Sequence, residues 1–224
     1  MSESNLSEWE EVLSAAAHRQ QIPPDATLVG GTAVAIFANH RVSRDADHVL
    51  TDLRGRFDDV LAQLEAVAGW RTARVKRPVL ILGSLDGIET GVRQMIREQP
   101  LETQQVNVAG RRLIVPTEEE LLRIKGVLIL TRNATRDYLD FAALSERLAP
   151  DRVRKALDQF DELYPQASGE SALQQLQVQL ANPMPYDLDQ TDLTEYRNLH
   201  PKWHDWNSVK RICGNVAIEL FQRL

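Results

Sequence analysis

Two short motifs in the first quarter of the chain contain residue types suited to phosphate chemistry. In Leu28-Val29-Gly30-Gly31-Thr32, two glycines and a hydroxyl follow a short apolar run. Glycines let the backbone approach a phosphate and adopt turn angles that a Cβ would forbid. A helix that starts at Gly31-Thr32 would direct its free N–H groups and the positive end of its dipole at an anion.

The second motif is Ser43-Arg44-Asp45-Ala46-Asp47. Side chains two apart in an extended segment point to the same face, so Asp45 and Asp47 would present two carboxylates together. Such hard oxygen ligands suit Mg²⁺ that holds the phosphates of a nucleotide. The spacing predicts a nucleotide-polymerase-like site. The competing interpretation is that the glycines form only a turn and the aspartates only turn or capping residues.

Length and composition indicate a globular protein. A chain of 224 residues can form one large domain or two small ones, and 43% hydrophobic with 26% charged residues is ordinary for that class. No apolar run approaches the roughly 20 residues of a membrane span, and Met1-Ser2-Glu3-Ser4-Asn5-Leu6 lacks the features of a signal peptide. The single cysteine, Cys213, fits a reducing compartment. We therefore expect a cytoplasmic protein without a membrane partner.

Charge is unevenly distributed. The net charge is −6, which argues against non-specific coating of nucleic acid. Residues 71–136 nevertheless hold 12 basic and 7 acidic side chains. This segment could serve a polyanionic substrate at one face, or it could be ordinary solvated surface.

The first half of the chain mixes helices and strands. A capping box, Ser7 with Glu10, begins a helix that Pro23-Pro24 ends. A hairpin is predicted around Leu85-Asp86-Gly87. Further predicted strands are 27–29, 45–50, 79–82, 88–95, 106–108 and 113–115, with helices from Gly31 to about Asn39 and over 57–68.

After Pro116 the pattern is helical. Thr117 and Glu120 form another capping box, and helices are predicted over 118–130, 134–148, 153–163 and 205–221, with loops at 181–185 and around His200-Pro201. Strands followed by helices indicate an α+β fold. We expect a core at 1–115, with a small mixed sheet flanked by helices, and a helical region at 116–224 packed on it.

Four motifs in order carry a resemblance to a known family. They are Gly30-Gly31-Thr32, His40-Arg41-x-Ser43-x-Asp45-x-Asp47, Arg123-Ile124-Lys125 and Arg132-x-x-x-Arg136-Asp137-Tyr138-x-Asp140. Together, over residues 25–145, they resemble the AbiEii-type nucleotidyltransferases, which are toxin partners of type IV toxin–antitoxin and abortive-infection systems. The resemblance implies a polymerase β-like nucleotidyltransferase core.

The resemblance also implies roles for individual residues. Asp45 and Asp47 would be catalytic and would ligate Mg²⁺. Lys125 would point at the triphosphate or the attacking group, and Asp137 would orient this lysine or the substrate. The implied nucleotide-binding residues are Gly30, Gly31, Thr32, Arg41, Ser43, Arg132 and Arg136. Arg41 and Ser43 could hold a phosphate or order the loop ahead of the aspartates.

The position of a third carboxylate is a departure from the superfamily pattern. The superfamily usually has this acid on a neighbouring strand, and here Ile88-Glu89-Thr90-Gly91-Val92-Arg93 contains only Glu89. By alternation Glu89, Gly91 and Arg93 share one face. Glu89 could be the catalytic acid, or the expected acid could have become Gly91, leaving a weakened or inactive site.

Several other residues have structural alternatives. Lys125 could lie on an exposed flank of its helix, and Arg136-Asp137 could be a local ion pair of little value. Asp140 fits a solvated helix position as well as a functional one. We interpret His40 as a structural loop residue. His200 and His204 have the spacing of zinc ligands, but no cluster of acids or cysteines supports a zinc site. Trp203 and Trp206 are interpreted as core or interface residues.

The sequence predicts a Mg²⁺-dependent nucleotidyltransferase that moves an NMP from an NTP to an acceptor hydroxyl. The resemblance implies RNA, especially tRNA, as acceptor, a toxin-like role and a cognate antitoxin partner. A small-molecule acceptor such as an aminoglycoside, or a protein hydroxyl, would use the same phosphate chemistry, and the sequence does not choose among them. The alternative is a catalytically inactive relative that binds a nucleotide, RNA or a partner protein.

Overall fold

The computed structural model describes the backbone of residues 3–221 and the side chains of residues 8–221. The chain divides into two compact units. The first comprises the chain up to Ile36 together with Val42–Thr117, and the second comprises Phe37–Arg41 together with the chain from Glu118 onward. Between residues 3 and 221, no helix combines the length and the apolar character needed to cross a bilayer.

The first unit is built on a five-stranded sheet. Its elements in chain order are α1 (Glu3–Arg19), β1 (Thr27–Leu28), α2 (Gly30–Ala38, which enters the second unit), β2 (Asp45–Leu50), α3 (Phe57–Glu65), β3 (Trp70–Lys76), β4 (Leu80–Leu85), β5 (Ile88–Gln94), β6 (Thr103–Val108) and β7 (Arg111–Pro116).

The sheet is mixed, with strand order β1-β2-β5-β4-β3. Strands β2 and β5 are parallel, and the other three pairs are antiparallel. Strands β6 and β7 form a separate two-stranded ribbon. The turns Asp86-Gly87 and Ala109-Gly110 both have positive φ at their two central residues, which suits tight hairpins.

One face of the sheet is the core of the first unit. On β2 the side chains alternate in burial, and Ala46, His48 and Leu50 are the buried set. Leu50 packs with α3 and with the neighbouring strands in one cluster. Helix α1 also contacts β2, and the side chain of Gln20 hydrogen-bonds both backbone groups of Ile114 on β7. Asp45, Asp47 and Val49 therefore lie on the opposite face.

The second unit is helical. Its helices are α4 (Glu118–Arg132), α5 (Thr135–Arg147), α6 (Pro150–Leu157), α7 (Phe160–Leu163), α8 (Ala172–Ala181) and α9 (Trp206–Phe221). Helix α4 is buried on most of its circumference. At Gly126 a Cβ would lie 2.9 Å from Leu176 and 3.0 Å from Phe160, so this glycine allows close helix packing.

Most predicted elements are present, with four differences. Strand β3 and helix α8 were not predicted, and β3 is exposed along almost its whole length and has no alternating pattern. The helix predicted over 153–163 is two helices, α6 and α7, and the predicted loop at His200-Pro201 contains a 3₁₀ turn, Pro201–His204. The Ser7 cap lies outside the described side chains, and α1 already includes Glu3.

Candidate active site

Gly30 joins β1 to α2 next to one of the paired aspartates. Its φ is +77°, a conformation that disfavours any residue with a Cβ. A Cβ built there would lie 3.6 Å from Asp47 Cβ. The amide of Val29 donates to the carbonyl oxygen of Asp47 at 2.8 Å, which holds the turn against β2. The amino end of α2 thus starts beside Asp47.

Thr32, in the first turn of α2, is fully buried. Its hydroxyl donates to the backbone carbonyl of Asp45 at 2.5 Å. This bond connects the glycine turn to the start of β2. A contact of the Thr32 hydroxyl with phosphate stays a prediction, as do the contacts of Gly30 and Gly31.

Asp45 and Asp47 are partly exposed and share the face opposite the core. The buried hydroxyl of Ser43 donates to Asp45 Oδ1 at 2.7 Å, which orients this carboxylate. Arg93 Nε on β5 lies 4.0 Å from Asp47 Oδ1. Sequence alternation placed Arg93 on this face but did not predict its approach to Asp47.

The parallel pairing of β2 and β5 decides which side chains flank the aspartates. Asp45 pairs with Glu89, and Asp47 pairs with Gly91. Paired residues on neighbouring strands share a face, so Glu89 lies beside Asp45. Thr90 points to the other face, where its hydroxyl donates to the carbonyl of Ala46. The partly exposed Asp45 and Asp47 and the exposed Glu89 therefore form one acidic group.

This acidic group fits Mg²⁺ by its chemistry. Mg²⁺ is commonly held by one or two carboxylates together with substrate phosphates and water, rather than by an all-protein cage. Asp45 and Asp47 supply two such carboxylates on one strand. Within residues 8–221, no set of three or more His, Cys, Asp or Glu side chains is gathered as a ready-made metal site. Binding of Mg²⁺ by this pair stays a prediction.

In the second unit, Asp140 is the centre of a buried ionic network. Its carboxylate lies 2.7 Å from Lys125 Nζ and 2.7 Å from His40 Nε2, and it accepts two hydrogen bonds from Arg41 at 3.0 and 3.2 Å. Burial opposes ionisation, but Arg41 and Lys125, with the hydrogen bond from His40, hold the pKa of Asp140 well below its usual value. The solvated-helix interpretation of Asp140 was wrong.

His40 is buried in the same network. Burial lowers its pKa, Arg41 and Lys125 lower it further, and the contact with Asp140 acts in the opposite direction. A neutral imidazole beside an ionised carboxylate must donate, so Nε2 of His40 carries the proton. The sequence interpretation assigned His40 to loop structure and missed this buried pair.

Lys125 and Asp137 are also paired. Lys125 is 2% exposed, so the interpretation of an exposed helix flank was wrong. Asp137 Oδ1 lies 3.4 Å from Lys125 Nζ, and Arg132 donates to both carboxylate oxygens of Asp137 at 3.0 and 2.6 Å. Asp137 therefore pairs with Lys125 and Arg132, and its neighbour Arg136 is exposed.

The remaining candidate residues have structural contacts. Trp203 is buried, and Trp206 packs edge-on against Tyr138 with ring centroids 6.1 Å apart. His200 Nδ1 accepts from the amide of Lys202, and His204 Nε2 is 3.1 Å from the carbonyl of Leu199. Each histidine thus has a backbone contact through one ring nitrogen.

The fold is similar to that of a solved structure described as a nucleotidyltransferase. A crystal structure from H. pylori that carries a provisional assignment as a nucleotidyltransferase superposes with a TM-score of 0.55, and the match covers 100% of this chain and 97% of that chain at 16% identity. This superposition establishes the expected α+β fold. The crystal structure of an antigenic nucleotidyltransferase-like protein from Paracoccidioides brasiliensis matches with a TM-score of 0.48 at 20% identity, over 75% of this chain and 93% of that chain.

Sequence similarity leads to a different group of proteins. Over 129 residues, 56% of its length, the chain is 38% identical to the heme uptake protein MmpL11 of Mycobacterium tuberculosis. It is 33% identical over 130 residues to the mycolic acid-containing lipids exporter MmpL11 of Mycolicibacterium smegmatis. The match covers 13% of each MmpL11 chain, so this chain spans only a small part of the curated relatives that it matches. No protein-family profile matches the chain.

Proposed function

We propose that this protein is a Mg²⁺-dependent nucleotidyltransferase that moves an NMP from an NTP to an acceptor hydroxyl. The observation that supports this most directly is the position of Asp47. It shares a partly exposed sheet face with Asp45 and adjoins the amino end of α2 at Gly30. Free N–H groups at a helix start and two carboxylates for a cation are together suited to a triphosphate.

The first unit supplies groups for each part of the reaction. Asp45 and Asp47 would hold Mg²⁺, which would neutralise triphosphate charge and stabilise the attacking and leaving oxygens. The amides of Gly30 and Gly31 would bind phosphate oxygens. The acceptor oxygen attacks the α-phosphorus, the bond to the β-phosphate oxygen breaks, and pyrophosphate leaves. Glu89, beside Asp45, would take the proton of the attacking hydroxyl.

The second unit has a supporting role in this proposal. Lys125 is buried between Asp137 and Asp140, so in this conformation it positions these carboxylates. Arg41 accounts for two of the hydrogen bonds to Asp140. Arg132 and the exposed Arg136 are the second-unit cations that we propose for contact with the nucleotide. These assignments rest on the AbiEii-type resemblance.

We propose RNA, with tRNA first, as the acceptor, and a toxin-like role with a cognate antitoxin. The basic balance of residues 71–136 is compatible with a polyanionic acceptor. Expression of the chain in a bacterial host should then arrest growth, and Asp47→Ala should relieve the arrest. Unchanged arrest by the Asp47→Ala protein at equal abundance would rule out a catalytic toxin.

A catalytically inactive protein of the same fold is the second candidate. It is favoured by Gly91, which pairs with Asp47 and presents no carboxylate beside it. Such a protein would bind Mg²⁺–NTP and release no pyrophosphate.

One experiment separates the two candidates. Each α-labelled NTP is incubated with Mg²⁺, total tRNA and the full chain, and both label transfer and pyrophosphate are measured. The test variant is Asp45→Asn/Asp47→Asn, and the control is Asp59→Asn, an exposed aspartate on α3. Transfer by the native chain and the control, but not by the test variant, supports the enzyme. Saturable NTP binding without pyrophosphate supports the inactive protein.

A further inference from the structure

The face of the sheet that holds the aspartates extends to the exposed edge strand β3. Cross-strand pairs define three rows that run across the sheet, and each row ends on β3 at a basic residue. From β3 to β2 the rows are Arg71, Ser84, Glu89 and Asp45; Arg74, Leu82, Gly91 and Asp47; Lys76, Leu80, Arg93 and Val49. We call Arg71, Arg74, Lys76 and Arg93 the basic face.

A β-bulge creates this arrangement. In a regular strand Arg71 would share its face with Ala73 and Val75. The register shifts between Thr72 and Arg74, so Arg74 pairs with Leu82 and returns to the face of Arg71. An extra residue in one strand of a pair changes side-chain phase in this way. The shift collects three cations on the aspartate side and sends Val75 to the other side.

The cationic side chains of β3 have no partner among residues 8–221. Arg71, Arg74 and Lys76 are exposed, and within that range their side chains form no ion pair or hydrogen bond. Lys and Arg on an edge strand also protect against strand-to-strand association. Arg93 cannot have that purpose, because β5 lies inside the sheet between β2 and β4. Its Nε lies 4.0 Å from Asp47 Oδ1, so Arg93 connects the cations of β3 to the aspartates.

The geometry favours an extended polyanion. Alternate residues on a strand are roughly 6.6 Å apart, and three strand-to-strand steps of about 4.8 Å separate β3 from β2 by roughly 14 Å. The evenly spaced cations of β3 can therefore contact successive phosphates of a polyanion. One end of this polyanion can pass over Leu82 and Gly91 and reach Asp47. Trp70 pairs with Leu85, and it packs on the core side, so no aromatic platform from β3 stacks on a base here.

We propose that the basic face binds the phosphate backbone of single-stranded RNA without sequence preference and aligns its end with Asp45 and Asp47. The alignment rests on the proposed function, whereas the binding does not. Proteins that bind the phosphate backbone of a single-stranded nucleic acid through cationic side chains show a strong dependence of affinity on salt concentration.

The test is binding of a fluorescein-labelled oligouridylate to the full chain, without Mg²⁺ or NTP, over a series of salt concentrations. The variant Arg71→Gln/Arg74→Gln/Lys76→Gln is compared with Lys155→Gln/Lys210→Gln/Arg211→Gln, which removes three exposed cations from the second unit. Each cation that no longer neutralises a phosphate lowers the salt slope by about 0.7, so the slope of the basic-face variant should fall by about 2. Its Kd should rise about tenfold or more, and the control should bind as the native chain does.

Equal slopes and Kd values for both variants, or no binding by the native chain, would overturn the proposal. Displacement of the RNA by polyglutamate as efficiently as by unlabelled RNA would assign the face to an acidic protein instead. Should the triple variant not fold, the single variant Arg74→Gln provides the same comparison with an expected fall in slope of about 0.7. The Asp45→Asn/Asp47→Asn variant separates this proposal from the proposed function. If this variant binds RNA and neither it nor the native chain transfers label, the enzymatic function is rejected and RNA binding by the basic face is still supported.

Discussion

Gly91 lies directly beside Asp47, and strand β4 leaves no room for a side chain at position 91. A Cβ at position 91 would be 2.5 Å from Leu82 Cδ2 and 2.9 Å from the Ile81 carbonyl oxygen. The leucine could rotate away, but the carbonyl belongs to the main chain of β4 and is fixed by sheet pairing. Glu89 is therefore the one carboxylate that β5 presents beside β2.

Replacement of Glu89 tests whether this carboxylate takes the proton. Glu89→Gln keeps size and polarity but removes the base, so transfer should fall about 10²- to 10⁴-fold. Unfolding free energy should change by less than about 0.5 kcal/mol because Glu89 is exposed. Label transfer and urea unfolding measure the two effects. The exposed Glu98→Gln is the control, and equal activity of both variants would remove Glu89 from the mechanism.

Gly30 should not tolerate a side chain, in contrast to Gly55. Gly30→Ala places an alanine at φ +77°, which costs about 1–2 kcal/mol of folding free energy, and it crowds Asp47. Gly55 has no positive φ, and a Cβ at this position would have no atoms within 4 Å, so Gly55→Ala should be neutral or stabilise by up to about 1 kcal/mol. Thermal unfolding and Mg²⁺–NTP titration compare them. A Gly30→Ala protein with native stability and NTP affinity would contradict the proposed role of the turn.

Loss of the Asp140 charge should destabilise the second unit. Asp140→Asn leaves Lys125 and Arg41 without their shared buried anion, and the removal of one partner from such a network costs about 3–5 kcal/mol. The exposed Asp189→Asn should change stability by less than about 0.5 kcal/mol. Urea unfolding at neutral pH measures both, and equal midpoints would mean that the network contributes no stability.

Stability should decrease as the pH falls below about 6.5. Burial lowers the pKa of His40 and of His48, so both stay neutral in the folded protein. Unfolded histidine binds a proton near pH 6.5, so the unfolded state binds more protons below that value and is favoured. The loss reaches about 1.4 kcal/mol per pH unit for each histidine, down to its lowered folded pKa.

Urea unfolding between pH 5 and 8 measures this slope. His48→Gln removes one of the two groups and should reduce the slope by about one proton. The lowered pKa of Asp140 also decreases the free energy of unfolding as the pH falls, but only below about pH 4, which is outside this range. A native chain with pH-independent stability would show that neither histidine is kept neutral by folding.

Local patterns predicted the elements that carry the acidic group. The alternation Asp45-Ala46-Asp47 reproduced β2 with its bounds, because half-buried strands have a two-residue period. The turn at Asp86-Gly87 likewise located the hairpin of β4 and β5. Strand β3 was not predicted because its side chains are exposed along almost the whole strand. Its sequence therefore lacks the alternation of apolar and polar residues that identifies a half-buried strand.

The sequence by itself determined the residue types, the strand and helix periods, and hence an α+β fold with two aspartates on one strand. Tertiary structure alone decided that Glu89 lies beside Asp45, that the bulge near Ala73 turns Arg74 toward the aspartate face, and that Lys125 is buried. Each of these depends on pairing or packing between segments far apart in the chain. Local spacing carries no information about such contacts, because the same short pattern can pair in several registers.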